Sequence, residues 1–516
     1  MQQILLGSIL QKNAGHPGLR DKAALIFGEE VLTYAELNER TNRLANGLRG
    51  LGVEVGDRIA VLGRNSNTYV AIYFALAKIG AIMVPVNFWY KTREIHYTLR
   101  QSGSSAFIVD GRFSEVAALN ELDGLEWTLF YGTRPENAER DLEEIVQAAS
   151  PDEPAVNLSE NAPHIILYTS GTTGFPKGTV LSHKSHYLHA LSLALATGGH
   201  SGDVGVCVYP LFHTGGPDCL VLPHFLTGAT LVVLDGGDPD AILTATEQYG
   251  ATNLFCVPTV WRWMLARQQA QKRDIRSVQR CLGSSDTFPP DLLDDILRTF
   301  NADVYVTYGL TEAGCILTVC KLTRDDHTKI GSVGCPMPSV EIRLVDENGR
   351  PVAPGEVGEV VARTPSMMQA YWNMPDSTAE TLKGGWLHSG DLGRLDRDGH
   401  LYLAGRARDL IISGGENIYP LEIERLLREN PKIRDATVIG IPDPEWGESV
   451  LAAVVPTEGA EITPDEVIDF VRTRAAGYKK PKYVEIVHKL PVTTATGKVQ
   501  KAVLRERYGK KYGKGS

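Results

Sequence analysis

Residues 168–178 read YTSGTTGFPKG. Gly171 and Gly174 let backbone N–H groups approach an anion closely, Ser170, Thr172 and Thr173 add hydroxyl donors, and Lys177 adds a full positive charge. That set is suited to phosphate. It is not a Walker A loop, because Pro176 stands where the second glycine belongs and Gly178 replaces the hydroxyl residue that would hold magnesium. The TVLS that follows is strand-like, where a Walker A loop opens a helix. Four more chemistry-bearing strings follow along the chain: YGLTE (308–312), SGD (389–391), GRARD (405–409) and TGK (496–498).

These strings need elements to carry them. HIILYTS (164–170) is a buried strand delivering Thr169 to the loop, and DVYVTY delivers YGLTE. Strand-like runs alternate with helical patterns through the first half: RIAVLG (58–63), a helix over 69–79, then AIMVPVN. TYAELNERTNRLANGLRGLG (33–52) reads as an amphipathic helix with Thr33 as its cap. From about residue 331 turn signals crowd in, with Asn348-Gly349 and Asp398-Gly399 at tight turns of hairpins. Beyond GRARD a helix-strand mixture returns. The expected fold is a large N-terminal α/β domain over 1–407, with two α/β layers and a β-rich part at 331–404, then a small α+β domain over 408–516.

Composition sets bounds. A chain of 516 residues exceeds one ordinary core, and a net charge of −10 removes a global basic field for nucleic acid. The tail from Gly497 is basic and reads either as a solvated end or as a ligand contact. Seven scattered cysteines without a CxxC point to free thiols in a reducing cytosol, and MQQILLGSIL lacks the features of a signal peptide. A cytoplasmic location is therefore expected. The span-like stretch 69–88 is interrupted by Lys78, Gly80 and Pro85, so no transmembrane segment is expected. His183, His186 and His189 fall at three-residue steps, which on a helix drift round the surface, and no zinc site is expected there.

YTSGTTGFPKG resembles the signature loop of the adenylate-forming enzymes, the superfamily of acyl-CoA synthetases, amino-acid adenylation domains and luciferases. YGLTE, SGD, GRARD and TGK follow in that family's order. The resemblance implies ATP-dependent activation of a carboxylic acid to acyl-AMP with release of pyrophosphate. Thr169, Ser170, Gly171, Thr172, Thr173, Gly174 and Lys177 would hold the β- and γ-phosphates. Glu312 would hold Mg2+, Thr311 would donate to the α-phosphate, and Tyr308 with Gly309 would lie against adenine. Asp391 would accept from both ribose hydroxyls, with Arg406 in support, and Lys498 would bridge the carboxylate and α-phosphate oxygens. The C-terminal domain is expected to be mobile about Arg408, a position usually Asp or Lys in the family. Its swing would bring Ser413, Gly414, Gly415 and Glu416 to line a thiol channel.

The resemblance also bears on the acid. Amino-acid adenylation domains place an Asp after the Phe of the segment matching PLFHTGG (210–216); here His213 follows Phe212, so no anion awaits a substrate ammonium. The reading moves to the fatty or aryl acid–CoA ligase branch, where His213 would border the carboxylate. Phe212, Val260, Gly283, Ser284, Ser285 and Thr307 would line the acyl pocket, whose added hydroxyls and bulk argue against a simple long alkyl chain. Coenzyme A is the expected acceptor. The alternatives are an acyl-AMP ligase loading a free carrier protein, or a non-catalytic nucleotide-binding module. A monomer and a homodimer are both compatible with the sequence.

Overall fold

The computed structural model describes residues 3–117, 124–133, 135, 141–169, 176–284, 288–492 and 499–512. The sequence-predicted residues Ser170, Gly171, Thr172, Thr173, Gly174, Ser285 and Lys498 lie outside these. By its internal contacts the chain forms two compact units, Met1–Ile342 with Ala362–Leu387, and Arg343–Val361 with His388–Ser516. Arg408 lies inside the second unit.

Two mostly parallel sheets make up the larger unit. One runs Ala370–Tyr371, Lys177–Ser182, Pro163–Thr169, Ile82–Val86, Arg58–Leu62, Ala106–Asp110, Trp127–Tyr131. Its central strands are buried on both faces, which is why they read as continuous apolar runs. The stretch that imitates a membrane span resolves into the buried helix Asn67–Ile79 and the strand Ile82–Val86, separated by left-handed Gly80. No described helix is long and apolar enough to cross a membrane. The other sheet has nine strands, with Asn253–Cys256, Arg280–Gly283 and Asp303–Tyr308 adjacent and parallel. The helix Tyr34–Gly50 begins at Thr33, whose hydroxyl accepts from Glu36 N while Glu36 reaches back to Thr33 N, a complete capping box.

The smaller unit carries the hairpins read from the sequence. Strands Leu387–Leu395 and Leu401–Arg406 pair antiparallel across the DRDG turn. They extend a four-stranded sheet that begins with Glu341–Val345 and Gly358–Arg363. A five-stranded sheet follows, built around Ile433–Asp443 and Gly447–Pro456 and covered by the helices Pro420–Arg428 and Pro464–Arg472.

The described part of the basic tail is not a frayed end. Residues Lys501–Tyr512 form a helix that buries Leu504 and Tyr508. Lys501 pairs with Glu424 at 2.7 Å, Arg505 with Asp409 at 2.7 Å and Lys511 with Glu485 at 2.6 Å. Two apolar anchors one turn apart gave this helix a face to dock, and acidic partners from distant elements absorbed its charge.

Candidate active site

Strand Asp303–Tyr308 is followed by Gly309, two residues before the turn Thr311–Ala313. Tyr308 is 7% exposed, and a side chain at Gly309 would overlap the carbonyl of Cys315, so only glycine fits. The next residues, Thr311–Ala313, form a single 3-10 turn and not the start of a longer helix. Glu312 is held from two sides: Met368 N donates to its carbonyl at 2.8 Å, and Tyr371 Oη donates to its Oε1 at 2.8 Å. Lys177 opens the strand that leaves the phosphate loop and places its Nζ 4.9 Å from the centroid of the same Tyr371 ring. Burial and the Glu312 carboxylate push the Tyr371 phenol up, so it remains a donor. Thr169 pairs in register with Lys177 at the mouth of the loop. Tyr371 was missed in the sequence because the short string AYW carries no chemistry of its own. Among the described residues no three His, Cys, Asp or Glu side chains form a metal-binding group. Magnesium does not need one, since it is usually held by one or two carboxylates plus phosphates, and Glu312 supplies a hard oxygen ligand of that kind.

In the segment 210–216, His213 Nδ1 accepts from Gly215 N at 3.1 Å, so a neutral ring carries its proton on Nε2. A π-helix, Pro217–Val221, follows this loop directly. Phe212 packs edge-on against Phe88 at 5.1 Å and Trp89 at 5.7 Å, a pair that sequence reasoning overlooked at the exit of the strand Ile82–Val86. The only signal was the run NFWY after an apolar strand. The structure brings Gly283, Ser284 and Thr307 together at adjacent strand ends. Thr307 Oγ1 donates to Gly283 O at 3.1 Å and Ser284 Oγ to Thr307 O at 3.4 Å, so both hydroxyls serve the backbone. A side chain at Gly283 would overlap the Phe288 ring. Val260 sits on the helix Pro258–Ala270, half-buried.

The three histidines do not drift round a surface. His183, His186 and His189 are all fully buried on the helix His183–Thr197. His186 Nδ1 meets Asp218 Oδ1 of the π-helix, and His189 Nε2 accepts from Ile316 N at 3.0 Å. His164 lies 5.1 Å from His183 and 4.8 Å from Tyr73, ring to ring. The helix is covered on more than one face, so a wheel with one wet side misplaced them. Burial pushes His183 and His189 down to about 4 and lowers His164 as well.

In the smaller unit, strand register sets Asp391 directly opposite Arg406, with Arg406 Nε 3.1 Å from Asp391 Oδ1. Asp391 is 7% exposed. Arg408 is held down by its own burial and by Arg406, in a crowd of cations that includes Arg505. Ser413 and Glu416 pair across Gly414 and Gly415, whose φ values of 59° and 85° make a two-residue hairpin turn of the primed kind. Gly414 N donates to Trp446 O at 2.8 Å, and a Cβ on Gly414 would lie 2.7 Å from the indole.

Comparison with known proteins gives the family. The family model described as AMP-binding enzyme matches residues 10–372, and that described as AMP-binding enzyme C-terminal domain matches 422–498. A feruloyl-CoA synthase of Amycolatopsis sp is 39% identical over 486 residues, covering 94% of this chain and 96% of that protein. An indoleacetate–CoA ligase of Aromatoleum aromaticum is 36% identical over 502 residues, covering 96% and 97%. Among solved structures, the anthranilate CoA ligase AuaEII in complex with anthranoyl-AMP superposes with a TM-score of 0.90 at 27% identity, covering 99% of this chain and 98% of that one. Two family models matched in order and relatives aligned over nearly the whole length leave one conclusion: the chain belongs to the AMP-binding, adenylate-forming enzyme family.

Proposed function

We propose that the protein is an AMP-forming acid–CoA ligase acting on an aromatic carboxylic acid. In the first half reaction the carboxylate attacks the α-phosphorus of ATP, giving acyl-AMP and pyrophosphate. In the second the thiolate of coenzyme A displaces AMP, giving the thioester. The convergence of Lys177 and Glu312 on one side chain, Tyr371, carries the reading, because it gathers a cation and a metal-suited carboxylate beside the phosphate loop. The aromatic choice is supported by Phe88, Trp89 and Phe212 beside His213, and by the ferulate, indoleacetate and anthranilate named for the relatives.

The chemical difficulty is that two anions must react. Positive groups must stand where charge accumulates on the α-phosphoryl oxygens. Lys177 and the 170–174 backbone hold the β- and γ-phosphates, Thr311 donates to the α-phosphate, and Lys498 bridges it to the attacking carboxylate. Glu312 would hold magnesium, which when bound offsets charge on the phosphate oxygens. Tyr308 and Gly309 face adenine, Asp391 accepts from the ribose hydroxyls, and Arg406 fixes the Asp391 carboxylate. His213, with its proton on Nε2, is suited to donate to the substrate carboxylate. For thioester formation Lys498 withdraws by rotation at Arg408, and the turn Ser413–Glu416 lines the pantetheine path, where two glycines let a chain pass close to backbone. We place the enzyme in the cytoplasm, where ATP and coenzyme A are supplied.

Hydroxylamine trapping of acyl-adenylate across a panel of aromatic and alkanoic acids, each with and without coenzyme A, tests this. Aromatic acids should give hydroxamate without the thiol and thioester with it. Turnover confined to alkanoic acids would overturn the substrate class. Hydroxamate that never becomes thioester unless a carrier protein is added would overturn the acceptor.

A further inference from the structure

The segment 366–372 touches both Lys177's strand and the Glu312 turn, and no chemical step above assigns a task to its one shared side chain, Tyr371. Gln369 N donates to Val180 O at 2.9 Å and Trp372 N to Gly178 O at 2.7 Å, which docks the short strand Ala370–Tyr371 beside the strand leaving the phosphate loop. Met368 N donates to Glu312 O at 2.8 Å, and a Cβ at Gly314 would strike Ser366, so the same segment grips the Thr311–Ala313 turn. Between these two grips stands one side chain, Tyr371, 6% exposed.

We infer that Tyr371 is a positioning residue that fixes the phosphate-loop lysine and the metal-holding carboxylate relative to each other, its ring serving Lys177 and its hydroxyl serving Glu312. The inference rests on the reading above that Lys177 meets phosphate and Glu312 meets magnesium.

The chemistry of a phenol suits both duties. Its hydroxyl donates to one Glu312 oxygen at 2.8 Å, which fixes the carboxylate plane and so the direction of the other oxygen. Outer hydrogen bonds of this kind orient metal ligands. Its ring face, 4.9 Å from Lys177 Nζ, attracts the ammonium without neutralising it. A carboxylate in that place would hold the lysine as well but would cancel the charge that the nucleotide needs. An ordinary core tyrosine would need neither neighbour, and replacing its hydroxyl would disturb packing alone.

The two duties can be separated by substitution. Tyr371→Phe keeps the ring and removes the hydroxyl; Tyr371→Leu removes both. Glu312→Gln serves as the reference for loss of the metal ligand. Binding of ATP to the full-length protein is measured by calorimetry, in EDTA and across a magnesium titration, with thermal midpoints recorded in parallel. For Tyr371→Phe we expect half-saturating magnesium to rise about tenfold while metal-free ATP affinity stays within about twofold of wild type. For Tyr371→Leu we expect metal-free affinity to fall a further ~5-fold as Lys177 loses its seat. If Tyr371→Phe leaves the magnesium dependence unchanged while Glu312→Gln alters it, the inference falls and the functional reading stands. If Glu312→Gln is itself indifferent to magnesium, the metal assignment falls and takes the inference with it. Equal weakening of metal-free and metal-loaded binding in Tyr371→Phe also overturns it. Should the leucine variant unfold, the phenylalanine variant still decides the question.

Discussion

Acidification should destabilise this protein well above the pH at which its carboxylates titrate. The cause is the buried histidine group of His164, His183 and His189, faced by His186, Tyr73 and Asp218. Burial holds His183 and His189 at about 4, whereas an unfolded histidine titrates near 6.5. Between those values the unfolded chain binds protons that the native chain refuses, so stability is full above about pH 6.5 and is lost as pH falls toward 4. Each of the two contributes about 2 kcal/mol of loss by pH 5 and about 3 kcal/mol at completion. His164 is shifted the same way and adds to the loss. The sum is a large part of the ~5–15 kcal/mol that a folded domain has to spare. Urea unfolding followed by tryptophan fluorescence at half-unit steps from pH 7.5 to 4.5 measures the slope, which should correspond to two to three protons. His189→Gln keeps an acceptor for Ile316 N and removes one titrating ring, so its slope should fall by about one proton. A wild-type slope of zero between pH 6.5 and 5, or an unchanged slope in the variant, would refute the reasoning.

Three further outcomes are expected. Lys498→Ala should lose acid-dependent pyrophosphate exchange by more than ~100-fold yet still convert preformed acyl-adenylate to thioester, which separate half-reaction assays read. Asp391→Asn should weaken ATP binding by about tenfold in calorimetry, because it loses a charged acceptor for the ribose hydroxyls and leaves Arg406 without its partner at 3.1 Å. Gly414→Val places a branched side chain at φ 59° and against the Trp446 indole, so it should slow thioester formation while leaving pyrophosphate exchange intact; equal loss of both would contradict its assignment to the second step.

Much of the site could be read from the chain because the residues concerned sit beside glycines and at strand ends, where local sequence dictates local shape. The hairpin that carries Asp391 and Arg406 could be read from the DRDG turn and the alternation of two strands, but their pairing could not, because a bulge at Leu392–Gly393 shifts the register by one residue and brings Arg406 opposite Asp391. The strand–turn pattern at Tyr308–Gly309 was equally local. Tyr371, Phe88 and Trp89 were not legible, since their roles come from partners far along the chain and no spacing rule connects them. The histidines failed for a different reason. Helical periodicity tells which residues share a face, not how many faces are covered, and the helix His183–Thr197 packs against a strand, a second helix and the π-turn together. The basic tail stayed open in the sequence, because a run of positive charge does not show which distant carboxylates will meet it.

The four-stranded sheet has a consequence for anyone who recombines this chain with a relative. Its strands come in order as Glu341–Val345, Gly358–Arg363, Leu387–Leu395 and Leu401–Arg406, so a splice placed between the second and third would mate hairpins of two different parents. Foreign cross-strand neighbours would then face each other along an entire seam, the Asp391–Arg406 pair remaining native but the sheet beneath it mismatched. A junction placed after Arg406 keeps all four strands from one parent, and it is there that chimeras should be joined.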